Sequence, residues 1–249
     1  MHSGQKIFYR RRLPHYQPPN ETLHVTFRLA GSLTNETVER LKREHAEVEK
    51  RLQSIEDPGE RRKRRCDWGA EYFRRFDEFL DRPTTGPSWL REDSVAAKMA
   101  EIFHAHDGKE YDLQAYCLMP NHVHMLATCW KPTADSAQVD VERSSDRCVP
   151  ANSDSITCPK RTEVRSTTGL YILASVLKQL KGVSAYECNK LLVRRGAFWH
   201  HESYDHVIRN DDELERTAWY ILSNPVKAGL CRYWRDWRWT YLKDGVIET

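Results

Sequence analysis

His122 and His124 stand two apart in Met119-Pro120-Asn121-His122-Val123-His124-Met125-Leu126, at the start of an apolar run. Side chains alternate faces along a β-strand, so both imidazoles point the same way. Two imidazoles on one rigid face can hold a divalent metal ion. The bare pattern is weak evidence, because 11 histidines in 249 residues give roughly 0.5 such pairs by chance. Two histidines hydrogen-bonded near a turn are the plain alternative. A second pair, His104-Ala105-His106, falls at the end of a predicted helix. Residues two apart diverge there by about 200°, so one metal cannot easily take both.

A second group lies on a predicted helix over 210–224. Its apolar stripe is Leu214, Ala218, Ile221 and Leu222. At 100° per residue, Tyr220 falls about 145° from the middle of that stripe. Asn224 follows one turn later on the same side. A phenol and an amide near a helix C-terminus can meet a cation, which the last carbonyls favour. On spacing alone, an exposed or second-interface tyrosine is the simpler reading.

These groups need a scaffold. Leu23 to Leu29 alternates as a strand. Helical spacing covers 36–54, and Asp57-Pro58-Gly59 breaks it. Further helices are predicted over 69–81 and 93–105. Tyr111–Leu118 and His122–Cys129 read as the two arms of a β-hairpin, with the histidines just past its turn. Leu173, Val176, Leu177 and Leu180 mark an amphipathic helix over 170–192. A short strand is predicted from Tyr204 to Ile208. The helix after it starts at Asn210 with Glu213 completing a capping box, and Pro225 is expected to end it at Asn224. The sum predicts an α+β fold, a ferredoxin-like antiparallel sheet with helices packed on one face. Residues 1–20 read as a basic N-terminal arm and 21–230 as the main domain. That domain carries a helical insertion over about 40–108 and a flexible polar loop over about 131–168. Residues 231–249 read as a C-terminal tail, whose Trp234 to Trp239 stretch suits packing.

The chain has 39% hydrophobic and 30% charged residues and a net charge of +3. No apolar run reaches the ~18 residues of a membrane span, and the N-terminus lacks a signal-peptide core. A cytoplasmic protein that meets no membrane is expected. Seven cysteines without a CxxC pair argue against a zinc ribbon and fit reduced thiols. Arg10-Arg11-Arg12 and Arg61-Arg62-Lys63-Arg64-Arg65 are basic runs of a kind that suits phosphate backbones or a solvated face.

Several blocks, in order, resemble one family. Tyr116 to Leu126 (YCLMPNHVHML) is similar to the His-hydrophobic-His motif of single-strand tyrosine transposases. Phe198 to Arg209 (FWHHESYDHVIR) and Tyr220 to Leu230 (YILSNPVKAGL) resemble later blocks of the REP-associated tyrosine transposases. Leu177 to Ala185 resembles the helix between them, and Arg11 to His15 a frequent start. The resemblance implies that His122 and His124 are metal ligands and Tyr220 the nucleophile. Asn224 takes the place of the third protein ligand, which is glutamine in some relatives. It also implies the ferredoxin-like sheet and single-stranded DNA substrates, often repetitive palindromes folded as hairpins. Monomer and homodimer are both left open.

The implied reaction is DNA strand cleavage and rejoining through a 5′-phosphotyrosyl link, which conserves the bond energy for a second 3′-hydroxyl. A metal would serve as Lewis acid and template. Imidazole leans toward Mn²⁺ and cellular abundance toward Mg²⁺. His206 and Lys181 are candidates for the base that takes the phenolic proton. Arg11, Arg12, Lys178, Lys181, Arg194, Arg195 and Arg209 are candidates for phosphate contacts, with Trp199 and Tyr204 for base stacking. Two other readings compete: a domesticated hairpin-binding protein whose cleavage is unused, and a metal hydrolase in which Tyr220 is incidental.

Overall fold

A computed structural model describes residues 8–10, 14–16, 21–82, 86–129 and 172–247. Its strands are β1 (Phe8–Arg10), β2 (Pro14–Tyr16), β3 (Thr22–Leu29), β4 (Tyr111–Leu118), β5 (His122–Cys129), β6 (Trp199–Val207) and β7 (Thr240–Leu242). Its α-helices are α1 (Asn35–Gln53), α2 (Pro58–Asp81), α3 (Asp93–His106), α4 (Ile172–Leu191) and α5 (Asp211–Lys227).

The architecture is α+β, built on a five-stranded antiparallel sheet of order β6-β3-β5-β4-β7. β1 and β2 pair separately. Register follows from alternation, since a slip of one residue would turn every apolar side chain outward. Along β3, Leu23, Val25, Phe27 and Leu29 face one way and join Val123, Met125 and Ala127 of β5 in the main core. Met99 and Phe103 of α3 and Leu173 to Leu180 of α4 cover that face. The other members of each strand (His24, Thr26 and Arg28 on β3; His122 and His124 on β5) therefore meet on the opposite face.

Helices on one face describe α3 and α4 but not the whole molecule. Ala218, Ile221 and Leu222 of α5 pack on Ala115, Cys117 and Leu126, across the other side of the sheet. Phe73 of α2 also lies there, with its ring 5.2 Å from His24 and 6.4 Å from His124. The polar side chains of the sheet are thus roofed by helices rather than left in water.

Local chemistry sets the helix ends. Thr34 caps α1 by accepting the Thr37 N–H at 3.2 Å. Asp57 caps α2 by accepting from Gly59 and Glu60, with Pro58 in the first turn. The Asp57-Pro58-Gly59 break is therefore also a start, and α2 begins eleven residues before the expected position 69. Pro225 does not end α5. The helix runs through it to Lys227, and Gly229 at φ +68 closes the turn. So near the end, the missing proline N–H removes only one helical bond, and Ala228 N still donates to Asn224 O at 2.9 Å. β6 is longer than the expected Tyr204–Ile208 strand because Trp199 pairs with Leu29 across an irregularity in β3. The C-terminal segment adds β7 beside β4, and Trp237 donates to Leu118 O at 3.0 Å. Arg11, Arg12 and the 131–168 loop lie outside the described residues. Among the described residues, no helix is long and apolar enough to cross a membrane.

Phe103 is fully buried, with its ring 6.4 Å from Phe27 and 5.2 Å from Tyr116. Phe103→Ala is expected to lower the unfolding free energy by about 3–5 kcal/mol. Urea denaturation measures this, and a loss below about 1 kcal/mol would mean the α3–sheet contact is not packed as described.

Candidate active site

The β3–β5 register sets Thr26 opposite His124 and Arg28 opposite His122. His122 and His124 are both fully buried. Their Nε2 atoms are 3.0 Å apart. Asn121 explains which nitrogen of His122 is free. Its amide nitrogen donates to Leu80 O at 2.9 Å, which turns its oxygen toward His122 Nδ1 at 2.7 Å. That oxygen can only accept, so Nδ1 carries the proton and Nε2 keeps its lone pair. Burial, followed by the neighbouring His124, pulls His122 down to about 3. The ring is therefore neutral at ordinary pH. Nδ1 of His124 lies 2.9 Å from Thr26 Oγ1 and 3.3 Å from His24 Nε2, so its Nε2 faces the same space. Second-side contacts of this kind orient imidazoles that hold a metal.

The third donor is Asp77, near the end of α2. It is 1% exposed, and its Oδ1 lies 3.3 Å from His124 Nε2 and 3.6 Å from His122 Nε2. That oxygen has no hydrogen-bond partner. Donors on adjacent corners of an octahedron with bonds of about 2.1 Å stand about 3.0 Å apart. The spacing of two imidazoles and a carboxylate oxygen therefore fits one small divalent cation, and the donor chemistry suits Mn²⁺ or Mg²⁺. Among the described residues, Asp77, His122 and His124 form the sole group of three His, Cys, Asp or Glu side chains close enough for this.

Asp77 also touches the tyrosine. The Tyr220 hydroxyl donates to Asp77 Oδ2. Burial and then the charge of Asp77 push the phenol far above its ordinary range. Burial alone would raise the Asp77 carboxyl, but His124, His122 and the Tyr220 hydrogen bond outweigh it and hold it well below the carboxylate range. Asp81, one turn on, is pushed up to about 7 by burial and by Asp77, and its Oδ1 lies 3.9 Å from His122 Nε2. Lys227 Nζ stands 4.4 Å from the Tyr220 ring centroid. The Tyr220 ring centroid is 5.9 Å from that of His124.

Three of the sequence candidates, His122, His124 and Tyr220, thus meet in one place. Asn224, one turn beyond Tyr220, is 1% exposed with neither amide atom hydrogen-bonded. Among buried polar groups such an amide is unusual. The two candidate bases have other partners. His206 Nε2 is bonded to Glu213 at 2.8 Å, and Lys181 Nζ donates to His200 O at 2.7 Å and Ser203 Oγ at 3.3 Å. Lys181 therefore ties α4 to β6. Arg194 lies against the Trp89 ring, its carbon 3.7 Å from the centroid, and donates to Ala197 O. Lys178, Arg195 and Arg209 are exposed. Trp199 is a core residue whose indole donates to Ser184 at 2.8 Å. Tyr204 stacks on Phe73 at 4.0 Å.

Asp77, His24 and Thr26 are absent from the sequence candidates. A signal for Asp77 existed: it stands four residues after Phe73 and three before Leu80, on the apolar stripe of its own helix. An acid in that position is either misplaced or partnered across the interface.

Comparison with known proteins agrees with the block resemblance. No family model matches the chain. A putative REP-associated tyrosine transposase from Haemophilus influenzae is 24% identical over 128 residues, which are 51% of this chain and 56% of the relative. The chain thus spans a little over half the length of the curated relative it matches. A solved REP-associated tyrosine transposase bound to a REP hairpin aligns over 93% of this chain and 80% of its own, at 14% identity. The TM-score of that alignment is 0.44.

Removing the tautomer lock should be visible in metal binding. Asn121→Ala is expected to weaken Mn²⁺ affinity by about 10–100-fold, measured by calorimetric titration. An unchanged affinity would show that His122 needs no such orientation.

Proposed function

We propose that this protein cleaves and rejoins single-stranded DNA at hairpin-forming repeats carrying unpaired flanks. One observation carries the reading. The Tyr220 hydroxyl and the two imidazole Nε2 atoms converge on the two oxygens of a single buried carboxylate, Asp77. A nucleophile beside a cation site is what phosphodiester exchange requires. The likeness of the ordered sequence blocks, and of the curated relative, to REP-associated tyrosine transposases supports the same class.

His122, His124 and Asp77 would hold a Mg²⁺ or Mn²⁺ ion, with Asn224 a further candidate donor on the strength of its unbonded amide. When bound, the ion supplies charge neutralisation at the phosphoryl oxygens. Tyr220 Oη attacks the scissile phosphorus. The Oη–P bond forms as the P–O3′ bond breaks, leaving a 5′-phosphotyrosyl link and a 3′-hydroxyl. The phenolic proton leaves through water as the Oη–P bond forms, and the departing 3′-oxygen takes a proton from water, so the exchange consumes no net proton. A free phenolate is scarcely populated when the group is held so high, so proton transfer accompanies attack. Religation runs the same steps backward from a second 3′-hydroxyl.

Capture on DNA hairpins with single-stranded flanks and Mn²⁺ tests this. The wild type is expected to form a covalent protein–DNA adduct that resists denaturation, and Tyr220→Phe to form none. Binding without an adduct would instead indicate a hairpin-binding protein. Metal-dependent hydrolysis that survives Tyr220→Phe would make the tyrosine incidental.

A further inference from the structure

Beside the candidate active site, a cavity of about 440 Å³ opens between the α1–α2 pair and strands β3 and β6. Its aromatic wall is Tyr72, Phe73, Phe76 and Tyr204. Phe73 belongs to both places, since its ring is 6.1 Å from Tyr220. Thr26 does too, being bonded to His124.

Two polar groups in this cavity are only partly satisfied. Arg28 is 5% exposed, and its Nη1 donates to Ser32 Oγ at 3.1 Å and weakly to Leu29 O. Among the described residues no carboxylate pairs with it, and burial draws it down to about 10. A buried guanidinium without a counter-charge is costly. Glu202 lines the same cavity; its Oε1 lies 3.3 Å from His201, while its buried Oε2 has no hydrogen-bond partner. The cavity thus offers flat aromatic surface, an unspent donor and an unspent acceptor. A ligand that fits is planar and carries acceptors for Arg28 and an N–H donor for Glu202.

We propose that this cavity receives one unpaired, amino-bearing nucleobase of the DNA strand, next to the phosphate that Tyr220 attacks. Stacking on the aromatic wall holds the ring, as for single strands generally. Glu202 accepts from an exocyclic amino group, and Arg28 donates to ring or carbonyl acceptors. Adenine, cytosine and guanine carry such an amino group; thymine does not. The inserted helices then serve to position the strand as well as to supply Asp77. This rests on the DNA-cleavage reading above.

The test starts with a library of DNA hairpins bearing randomised single-stranded flanks, incubated with the wild type and Mn²⁺. Captured adducts identify the cleaved phosphate, and the selected sequence is then scanned with single abasic sites. One position beside that phosphate is expected to lose at least about fivefold in affinity when abasic. Thymine at that position is expected to bind more weakly than the other three bases. Val38→Trp, which fills the cavity from α1, is expected to abolish the abasic penalty, and Val38→Ala to keep it. No adduct from the library defeats the DNA-cleavage reading and this inference with it. Adducts with no abasic-sensitive neighbouring position overturn this inference alone. A penalty that persists in a folded Val38→Trp protein also overturns it. Free deoxynucleoside monophosphates that bind the cavity, with no sensitive position in the strand, would assign it to a free nucleotide instead.

Discussion

Asp77 sits where a carboxylate should not, on the apolar stripe of α2 and almost wholly out of water. Burying a charge costs several kcal/mol unless partners compensate it. Here the Tyr220 hydroxyl donates to one oxygen, and the other faces Nε2 of His122 and of His124, where a bound cation would compensate it. The packing of α2 against the sheet, the approach of α5 and the orientation of the histidines are therefore coupled. None of these elements can shift without exposing or orphaning the carboxylate.

The strand alternation that fills the main core also delivers the site. Because Val123 and Met125 face α3 and α4, His122 and His124 must face the other way, and the same holds for His24 and Thr26 beside them. α5 adds Tyr220 from its flank while Ala218, Ile221 and Leu222 bury its other side. The site is thus a consequence of a sheet with two covered faces. Had helices lain on one face alone, the imidazoles would sit in water, and neither His122 nor Tyr220 would be shifted as far from its ordinary range.

Much of this was legible in the residues. The hairpin carrying the histidines, the strand at Leu23–Leu29 and the amphipathic α4 all follow from periodicity, and their bounds agree with the structure to within a few residues. The convergence of strand histidines, against the divergence of His104 and His106 on a helix, is geometry alone. In the structure the latter two take separate partners, Tyr116 at 3.4 Å and Glu110 at 3.3 Å. What periodicity could not supply was long-range pairing. Asp77 and Tyr220 are 143 residues apart, and nothing local in either helix says that they meet. The short β7 was missed for a similar reason: its three residues form a strand only because β4 offers an edge. Pro225 misled because its local bias is real, yet only one helical bond was at stake so near the end of α5.

The most direct measurement is calorimetric titration of Mn²⁺ into the wild type, Asp77→Ala and His124→Ala. If α2 supplies the third donor, Asp77→Ala loses more than about tenfold in affinity and His124→Ala at least as much. Wild-type affinity in a folded Asp77→Ala protein, alongside loss in His124→Ala, would contradict it. The cation would then be held without α2.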